Sequence, residues 1–149
     1  MPLGASHPVH GVQVRDDALQ LLIERRLVSP LLLGDAQLAR LIDDICAIAH
    51  VRRIRLHSRL PIVLPQRVTQ ALLESLAASR CSVTTVVHCN HAQELDEDTA
   101  RAFACLREVG VHLLNQTVLL HGVNNEADIL CELSEMLFKQ GVLPYYLHM

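Results

Sequence analysis

Polar side chains follow four short strand-like segments in the later part of the chain. The segments and their polar ends cover residues 53–59, 83–91, 112–117 and 143–148, and helical patterns lie between them. Parallel strands bring their carboxyl ends to one edge of a sheet, and α/β enzymes build their sites at that edge. The sequence therefore predicts a site there, formed by histidine, arginine, serine, asparagine and glutamine side chains.

Size, composition and charge limit the classes of function. A chain of 149 residues is the usual size of one domain, and 50% hydrophobic residues with few aromatics favour an aliphatic α/β core. A net charge of −3 predicts no general attraction to nucleic acid or to an anionic membrane. One basic cluster is the exception, since part of it fits a solvated strand edge and part could face an anion. Its members are Arg52, Arg53, Arg55 and Arg59.

The N-terminus and the cysteines predict a soluble, cytoplasmic protein. The first residues lack a basic region followed by an apolar one, and no apolar run reaches the ~18 residues of a membrane span. Five cysteines without a C-x-x-C pair are expected to be free thiols. Cys89 lies between His88 and His91, but adjacent strand residues point to opposite faces, so we expect no metal there.

Helices and strands alternate from about residue 36. The predicted helices cover residues 36–49, 66–78 and 126–140, and a further helix follows the acidic residues of 94–98 and runs to 109. The predicted strands cover 53–57, 83–88, 113–120 and 142–147. Asp35 is the predicted N-cap of the first of these helices, and Gly110 and Gly141 follow the ends of two others. A further helix is predicted over residues 16–27. Four parallel strands with four helices fit half of a (β/α)₈ barrel or a small doubly wound sheet.

Four blocks of sequence occur in order between residues 30 and 149. They are RLHSRLPIVLPQR at 55–67, HCNH at 88–91 with Glu94, GVHLLNQTVLL at 110–120 with GVN at 122–124, and GVLPYYLH at 141–148. Together they resemble the lysine 2,3-aminomutase family of radical S-adenosylmethionine (radical SAM) enzymes. The first and last blocks are most similar to the branch that modifies elongation factor P, the (R)-β-lysylation branch. Residues 1–29 match poorly and form a separate N-terminal segment.

The resemblance implies a fold, a reaction and three cofactors. The fold would be an incomplete (β/α) barrel of the radical SAM type over residues 30–149. The family isomerises L-lysine to β-lysine with S-adenosylmethionine, a [4Fe-4S] cluster and pyridoxal phosphate, and these cofactors carry the difficult steps. The implied substrate or partner is free lysine or a lysine of elongation factor P.

Site residues are also implied by the resemblance, position by position. His88 and Gln116 match residues that hydrogen-bond S-adenosylmethionine, and His148 matches a residue near the adenine. The full set of candidates for cofactor binding is His88, Gln116, Ser58, Arg59, Asn90, His91 and His148. Each has a local structural alternative. His91 could cap the following helix, and Asn115 or Gln116 could bind the backbone of a neighbouring loop.

The chain departs from the family at residues that carry chemistry. It has no Cys-x-x-x-Cys-x-x-Cys motif, which supplies the cluster ligands, and Ser29-Pro30 stands where the family has Ser-Gly-Gly-Asp-Pro. The family's pyridoxal phosphate lysine follows the Tyr-Tyr-Leu-His segment. We therefore expect a fragment, truncated at both ends and inactive alone. The alternatives are a subunit of a split aminomutase and a non-catalytic module that binds S-adenosylmethionine.

A partial barrel also has a predicted consequence for association. Such a fold exposes two sheet edges and an interior that we expect to be apolar. Unpaired edges and apolar surface favour contacts between copies of a chain. The sequence therefore predicts self-association.

Overall fold

The structure, a computed structural model, describes residues 12–13 and 30–149. The helix predicted over residues 16–27 lies outside these residues. The helices are α1 (Asp35–Ala47), α2 (Leu60–Val63), α3 (Gln70–Ala78), α4 (Glu97–Glu108) and α5 (Ala127–Lys139). The strands are β1 (Val12–Gln13), β2 (Arg53–Ser58), β3 (Ser82–Val87), β4 (His112–Val118) and β5 (Leu143–His148). Short 3₁₀ turns cover Pro30–Leu32, Pro65–Arg67 and Ala92–Glu94.

All five strands form one open sheet in the order β1-β2-β3-β4-β5. Strands β2 to β5 are parallel, and a helix lies between each strand and the next, as in repeated βαβ units. This arrangement confirms the predicted incomplete α/β barrel with four parallel strands. The two-residue strand β1 adds an antiparallel partner to the outer edge of β2, which the sequence did not predict. None of the helices in the described part of the chain has the length and apolarity needed to cross a bilayer.

The predicted helix over residues 66–78 is shorter in the structure. Thr69 Oγ1 accepts a hydrogen bond from the Leu72 backbone N–H at 3.1 Å, so Thr69 caps a helix that begins at Gln70. The preceding residues form α2 and a 3₁₀ turn around two prolines. Asp35 is likewise not an N-cap, because Gly34 holds that position and Asp35 begins α1. The Asp35 carboxylate binds Arg67 and Thr69 instead.

Alternate residues of the four parallel strands lie on two different faces. One face packs on the helices, and residues such as Ile54, Leu56, Val83 and Leu113 are buried there. The opposite face is defined here as the concave face. It consists of Arg53, Arg55, His57, Ser82, Thr84, Val86, His88, His112, Leu114, Gln116, Val118, Leu143, Tyr145, Tyr146 and His148.

A contact between the first and last parallel strands shows the curvature of the sheet. The Arg55 guanidinium carbon on β2 lies 5.3 Å from the centroid of the Tyr145 ring on β5. Two strands lie between them, and neighbouring strands are ~4.8 Å apart, so a flat sheet would separate these two strands by ~14 Å. Side chains stand roughly perpendicular to a sheet, so a flat sheet would keep these two groups apart. The contact therefore indicates that the sheet curves around this face, as a barrel wall curves around its lumen. The face is basic and aromatic as well as apolar, unlike the apolar interior that was expected.

Candidate functional site

Three of the predicted site residues are neighbours at the carboxyl ends of three adjacent strands. Gln116 of β4 pairs with Tyr146 of β5, and Val118 pairs with His148 two residues further along. Val87 pairs with Asn115, so His88 follows β3 at the level of Gln116. Strand alternation puts His88, Gln116 and His148 on the concave face. The structure thus places these three residues on one face of three neighbouring strands, within two residues of the same level.

The surroundings of these three side chains differ. The half-buried His88 ring lies edge-on to His57, with 6.0 Å between the ring centroids. The His148 ring lies edge-on to Tyr146, with a centroid distance of 4.5 Å. Gln116 is half-buried, and its carboxamide makes no hydrogen bond with any residue that the structure describes. That carboxamide can therefore bind a ligand without losing a bond to these residues.

The loop that begins at His88 is fixed by two buried side chains of β4. Asn115 Oδ1 accepts from the Cys89 backbone N–H at 2.8 Å, and Asn115 Nδ2 donates to the Cys89 carbonyl at 3.0 Å. Thr117 Oγ1 donates to the same carbonyl at 3.0 Å. The structural alternative for Asn115, a bond to the backbone of a neighbouring loop, is thus confirmed. These bonds hold His88 beside β4.

Glu94 and Asn124 hold the rest of this loop. Glu94 Oε1 accepts from the backbone N–H groups of Asn90 at 2.7 Å and His91 at 3.0 Å. Asn124 Nδ2 donates to the carbonyls of Asn90 at 2.8 Å and Val118 at 2.9 Å. Asn124 is fully buried. Sequence reasoning gave Asn124 no role, although it ends the GVN block that follows β4.

The remaining predicted site residues have hydrogen bonds within the protein. Ser58 Oγ is buried and accepts from the Leu60 backbone N–H at 3.1 Å, and the Arg59 guanidinium pairs with Glu94 at 2.6 Å. Asn90 Oδ1 accepts from the Val118 backbone N–H at 2.9 Å. His91 Nδ1 accepts from the Gln93 N–H at 3.2 Å, so His91 caps the 3₁₀ turn Ala92–Glu94, whereas Asp96 caps the helix α4 that follows this turn. These side chains shape the site and lie around His88.

Cys89 is not positioned to act as a metal ligand with His88. It belongs to the buried core, on the opposite side of the backbone from His88, and its Sγ donates to the His91 carbonyl at 3.3 Å. Burial raises the pKa of the Cys89 thiol to about 12, so it stays protonated at neutral pH. Among the described residues no three His, Cys, Asp or Glu side chains are grouped to hold a metal ion. These residues therefore do not fit a [4Fe-4S] cluster.

The sequence contains one lysine, and it lies far from the candidate site. Lys139 is an exposed residue in the last turn of α5. In a βαβ unit the helix runs opposite to its strands, so the end of α5 lies at the amino edge of the sheet. His88, Gln116 and His148 lie at the carboxyl edge. The described residues therefore do not fit the imine linkage of pyridoxal phosphate at this site.

Comparison with known proteins gives a consistent set of relatives. The chain is 52% identical to the L-lysine 2,3-aminomutase of Escherichia coli (strain K12) over 119 residues, which is 80% of this chain and 35% of the relative. It is 48% identical to the enzyme of the same name from Haemophilus influenzae over 120 residues, or 36% of that relative. The Clostridium subterminale L-lysine 2,3-aminomutase is 41% identical over 118 residues, 79% of this chain and 28% of that relative. No protein-family model matches the chain.

These relatives extend well beyond the aligned part. The chain spans about a third of the length of the curated relatives that it matches most strongly. The aligned 119 residues nonetheless make up most of the chain, and the relatives with which they align bear one name. The chain therefore belongs to the L-lysine 2,3-aminomutase family, and four-fifths of its length corresponds to about a third of such a relative.

Proposed function

We propose that the concave face binds S-adenosylmethionine at the carboxyl ends of its strands. The observation that supports this most is the adjacency of His88, Gln116 and His148 on three neighbouring strands. Imidazole and carboxamide groups donate and accept hydrogen bonds, which suits ribose hydroxyls and an adenine edge. The Tyr146 ring beside His148 adds an apolar surface for a base. The ligand's role would be to supply the radical that begins lysine rearrangement in the family.

The protein's own part in this function is positioning. The bonds from Asn115, Thr117, Asn124 and Glu94 fix the loop that carries His88, so little ordering is left to the moment of binding. A pre-ordered loop lowers the entropic cost of binding. The opposite face of the sheet is packed against the helices, so water does not reach the site through the sheet.

Titration calorimetry with S-adenosylmethionine tests this proposal. We expect saturable binding to the 149-residue chain and a roughly tenfold weaker affinity in Gln116→Ala, because a hydrogen bond in a half-buried site is lost. Gln37→Ala is the matched control, since Gln37 is exposed on α1. Absence of heat at millimolar ligand would contradict the proposal. So would equal weakening by both variants.

We further propose that this polypeptide alone does not isomerise lysine. The supporting observations are the misfit of its described residues to an iron–sulfur cluster and the remote position of its one lysine. After iron–sulfur reconstitution with all cofactors, chromatography of the reaction should show no β-lysine. Detection of β-lysine above a no-protein control would refute this statement.

For the complete activity we propose lysine as the substrate class, either free or as a residue of elongation factor P. The names of the relatives support lysine, and the resemblance of residues 55–67 and 141–148 to one branch supports elongation factor P. Assays of the complete enzyme of this branch with both substrates would separate them by the ratio of kcat/KM values. A ratio favouring free lysine would exclude the elongation factor.

A second candidate is a subunit of a split aminomutase. It is favoured by the outer edge of β5, which pairs with no strand among the described residues, and by the exposed Tyr145 and Tyr146. A second polypeptide that supplies the cluster motif and the pyridoxal phosphate lysine would continue the sheet there. Co-expression with such a partner should yield a stable complex that makes β-lysine. Co-purification without activity, or no co-purification, would eliminate this candidate.

A further inference from the structure

We propose that Arg55 and Tyr145 form a binding site for a small oxyanion, a carboxylate or a phosphate, on the concave face. The inference deepens the proposed function, because it names the class of a second ligand for the same face. It rests on that function only for the choice of this face. The site itself is argued from the contacts and charges around Arg55.

Arg55 is a half-buried arginine whose partner is a tyrosine and not a carboxylate. Its Nη1 lies 3.5 Å from the Tyr145 hydroxyl oxygen, and the guanidinium lies over the Tyr145 ring. Arg59, Arg67 and Arg101 each form an ion pair with a carboxylate, whereas Arg55 has no such pair among the described residues. A guanidinium carries five N–H donors, so most of those of Arg55 are available.

The formally charged side chains of the concave face, those of its arginines, have one sign. Strands β2 to β5 contain no aspartate or glutamate. The concave face carries instead the guanidinium groups of Arg53 and Arg55, beside the imidazole rings of His57, His88, His112 and His148. The carboxylate of Glu94, in the loop above, is bound to Arg59 and to two backbone N–H groups. A half-buried cation without a counter-charge is costly, and an anionic ligand would offset that cost.

The position of Arg55 places this site below the proposed S-adenosylmethionine site. Arg55 pairs with Thr84, and Thr84 pairs with His112, so these residues form a row across three strands. The side chain of Arg55 extends out of this row to Tyr145. Tyr145 immediately precedes Tyr146, which pairs with Gln116. The guanidinium therefore lies between the Thr84 row and the row of Gln116. A ligand there would be separate from one held at the strand ends.

The chemistry of the two side chains selects an oxyanion. A planar guanidinium donates two parallel N–H bonds, which match the geometry of a carboxylate or of a phosphate. The Tyr145 hydroxyl is a further donor beside it. The Tyr145 ring holds the guanidinium by a cation–π contact, and one in-plane donor, on Nη1, lies 3.5 Å from the Tyr145 hydroxyl. A neutral ligand would leave the Arg55 charge unbalanced.

The test is a titration of the full 149-residue chain, followed by ¹⁵N–¹H correlation spectra, at constant ionic strength. Inorganic phosphate and acetate are the two probes, and they distinguish a phosphate source from a carboxylate source. We expect saturable shifts of the backbone amides of Arg55, Thr84 and Tyr145 with at least one probe. Arg55→Gln should weaken that binding roughly tenfold or more, because a charge-assisted pair is lost.

Two further variants keep the result interpretable if Arg55→Gln fails to fold. Arg55→Lys keeps the charge and removes the planar fork, so we expect intermediate binding. Arg40→Gln removes the same charge from the exposed surface of α1 and should leave binding unchanged. No saturable shift with either probe, or equal loss in the Arg40 and Arg55 variants, would overturn the proposal. Calorimetry with S-adenosylmethionine is independent of this result, so failure of the two proposals is distinguishable.

Discussion

Asn115 on β4 binds both backbone polar groups of Cys89, with Oδ1 accepting at 2.8 Å and Nδ2 donating at 3.0 Å. Asn115 is almost completely buried, as is Cys89. The Asn115 carboxamide occupies the Cys89 N–H and carbonyl groups, which would bind the backbone of a neighbouring strand if β3 continued to Cys89. The strand therefore ends at Val87, and the chain turns away with His88 on the concave face. Asn115 thus links the core of the sheet to the candidate site.

We predict that Asn115→Ala lowers the free energy of unfolding by about 2–3 kcal/mol. The Cys89 N–H would stay buried without its partner, and the carbonyl would keep only Thr117. Urea denaturation measures the change. Asn125→Ala is the matched control, because Asn125 is exposed and accepts one bond from Gly122; we expect less than about 1 kcal/mol. If the two variants lose the same free energy of unfolding, the buried Asn115 bonds contribute no more to stability than the bond of the exposed Asn125.

Asp35 predicts a specific dependence of stability on pH. The Thr69 hydroxyl at 2.7 Å and the Arg67 guanidinium at 2.5 Å hold the pKa of Asp35 below its ordinary value of 3.8. A carboxyl group whose pKa is lowered by folding stabilises the protein above its unfolded pKa. This contribution is lost as the pH falls through the folded pKa.

We therefore expect Asp35→Asn to be less stable than the parent chain at pH 7, with a smaller difference below about pH 3. Urea denaturation at both pH values measures this. Asp43→Asn serves as the control, since Asp43 lies exposed on the same helix. A stability difference for Asp35→Asn that is the same at both pH values would be inconsistent with the Arg67–Asp35–Thr69 contact.

The alternation of helices and strands was predictable, and long-range contacts explain most of what was not. The β-branched residues of β3 and the glycines after α4 and α5 are local signals, and both glycines follow the helix ends as predicted, with positive φ. Asp35 is different. As a local signal it resembles an N-cap, but its partners Arg67 and Thr69 lie more than thirty residues away, so sequence spacing could not identify them.

The candidate site shows the same division. The sequence places His88 and Gln116 near the carboxyl ends of strands, but their common face depends on the register of β3 against β4. The capping role of His91 is a local property. The contact between Arg55 and Tyr145 joins residues 90 positions apart and depends on the curvature of the sheet, which no short pattern encodes. The ligand roles of His88, Gln116 and His148 stay predictions.

Burial predicts an order of reactivity among the cysteines. Desolvation is the largest cause that raises the pKa of Cys89 to about 12 and that of Cys81 to about 11, whereas Cys131 is exposed on α5. The thiolate is the reactive form. With iodoacetamide at about pH 8, mass spectrometry should therefore show modification of Cys131 well before that of Cys81 or Cys89. All five should react in urea. Early modification of Cys89 in the native chain would contradict its buried position.

The outer edge of β5 predicts self-association. Tyr145, Tyr146 and Leu147 are 49%, 51% and 43% exposed, and no described strand pairs with this edge. A bare, apolar edge is a template for another strand. Sedimentation should show dimers or larger species, and Leu147→Lys should shift them towards monomer because a charge disfavours edge pairing. Phe138→Lys removes an exposed apolar residue from α5 and should not change association. A monodisperse 16.6 kDa monomer with a cooperative melt would mean that the edge is protected, and association would then require another partner.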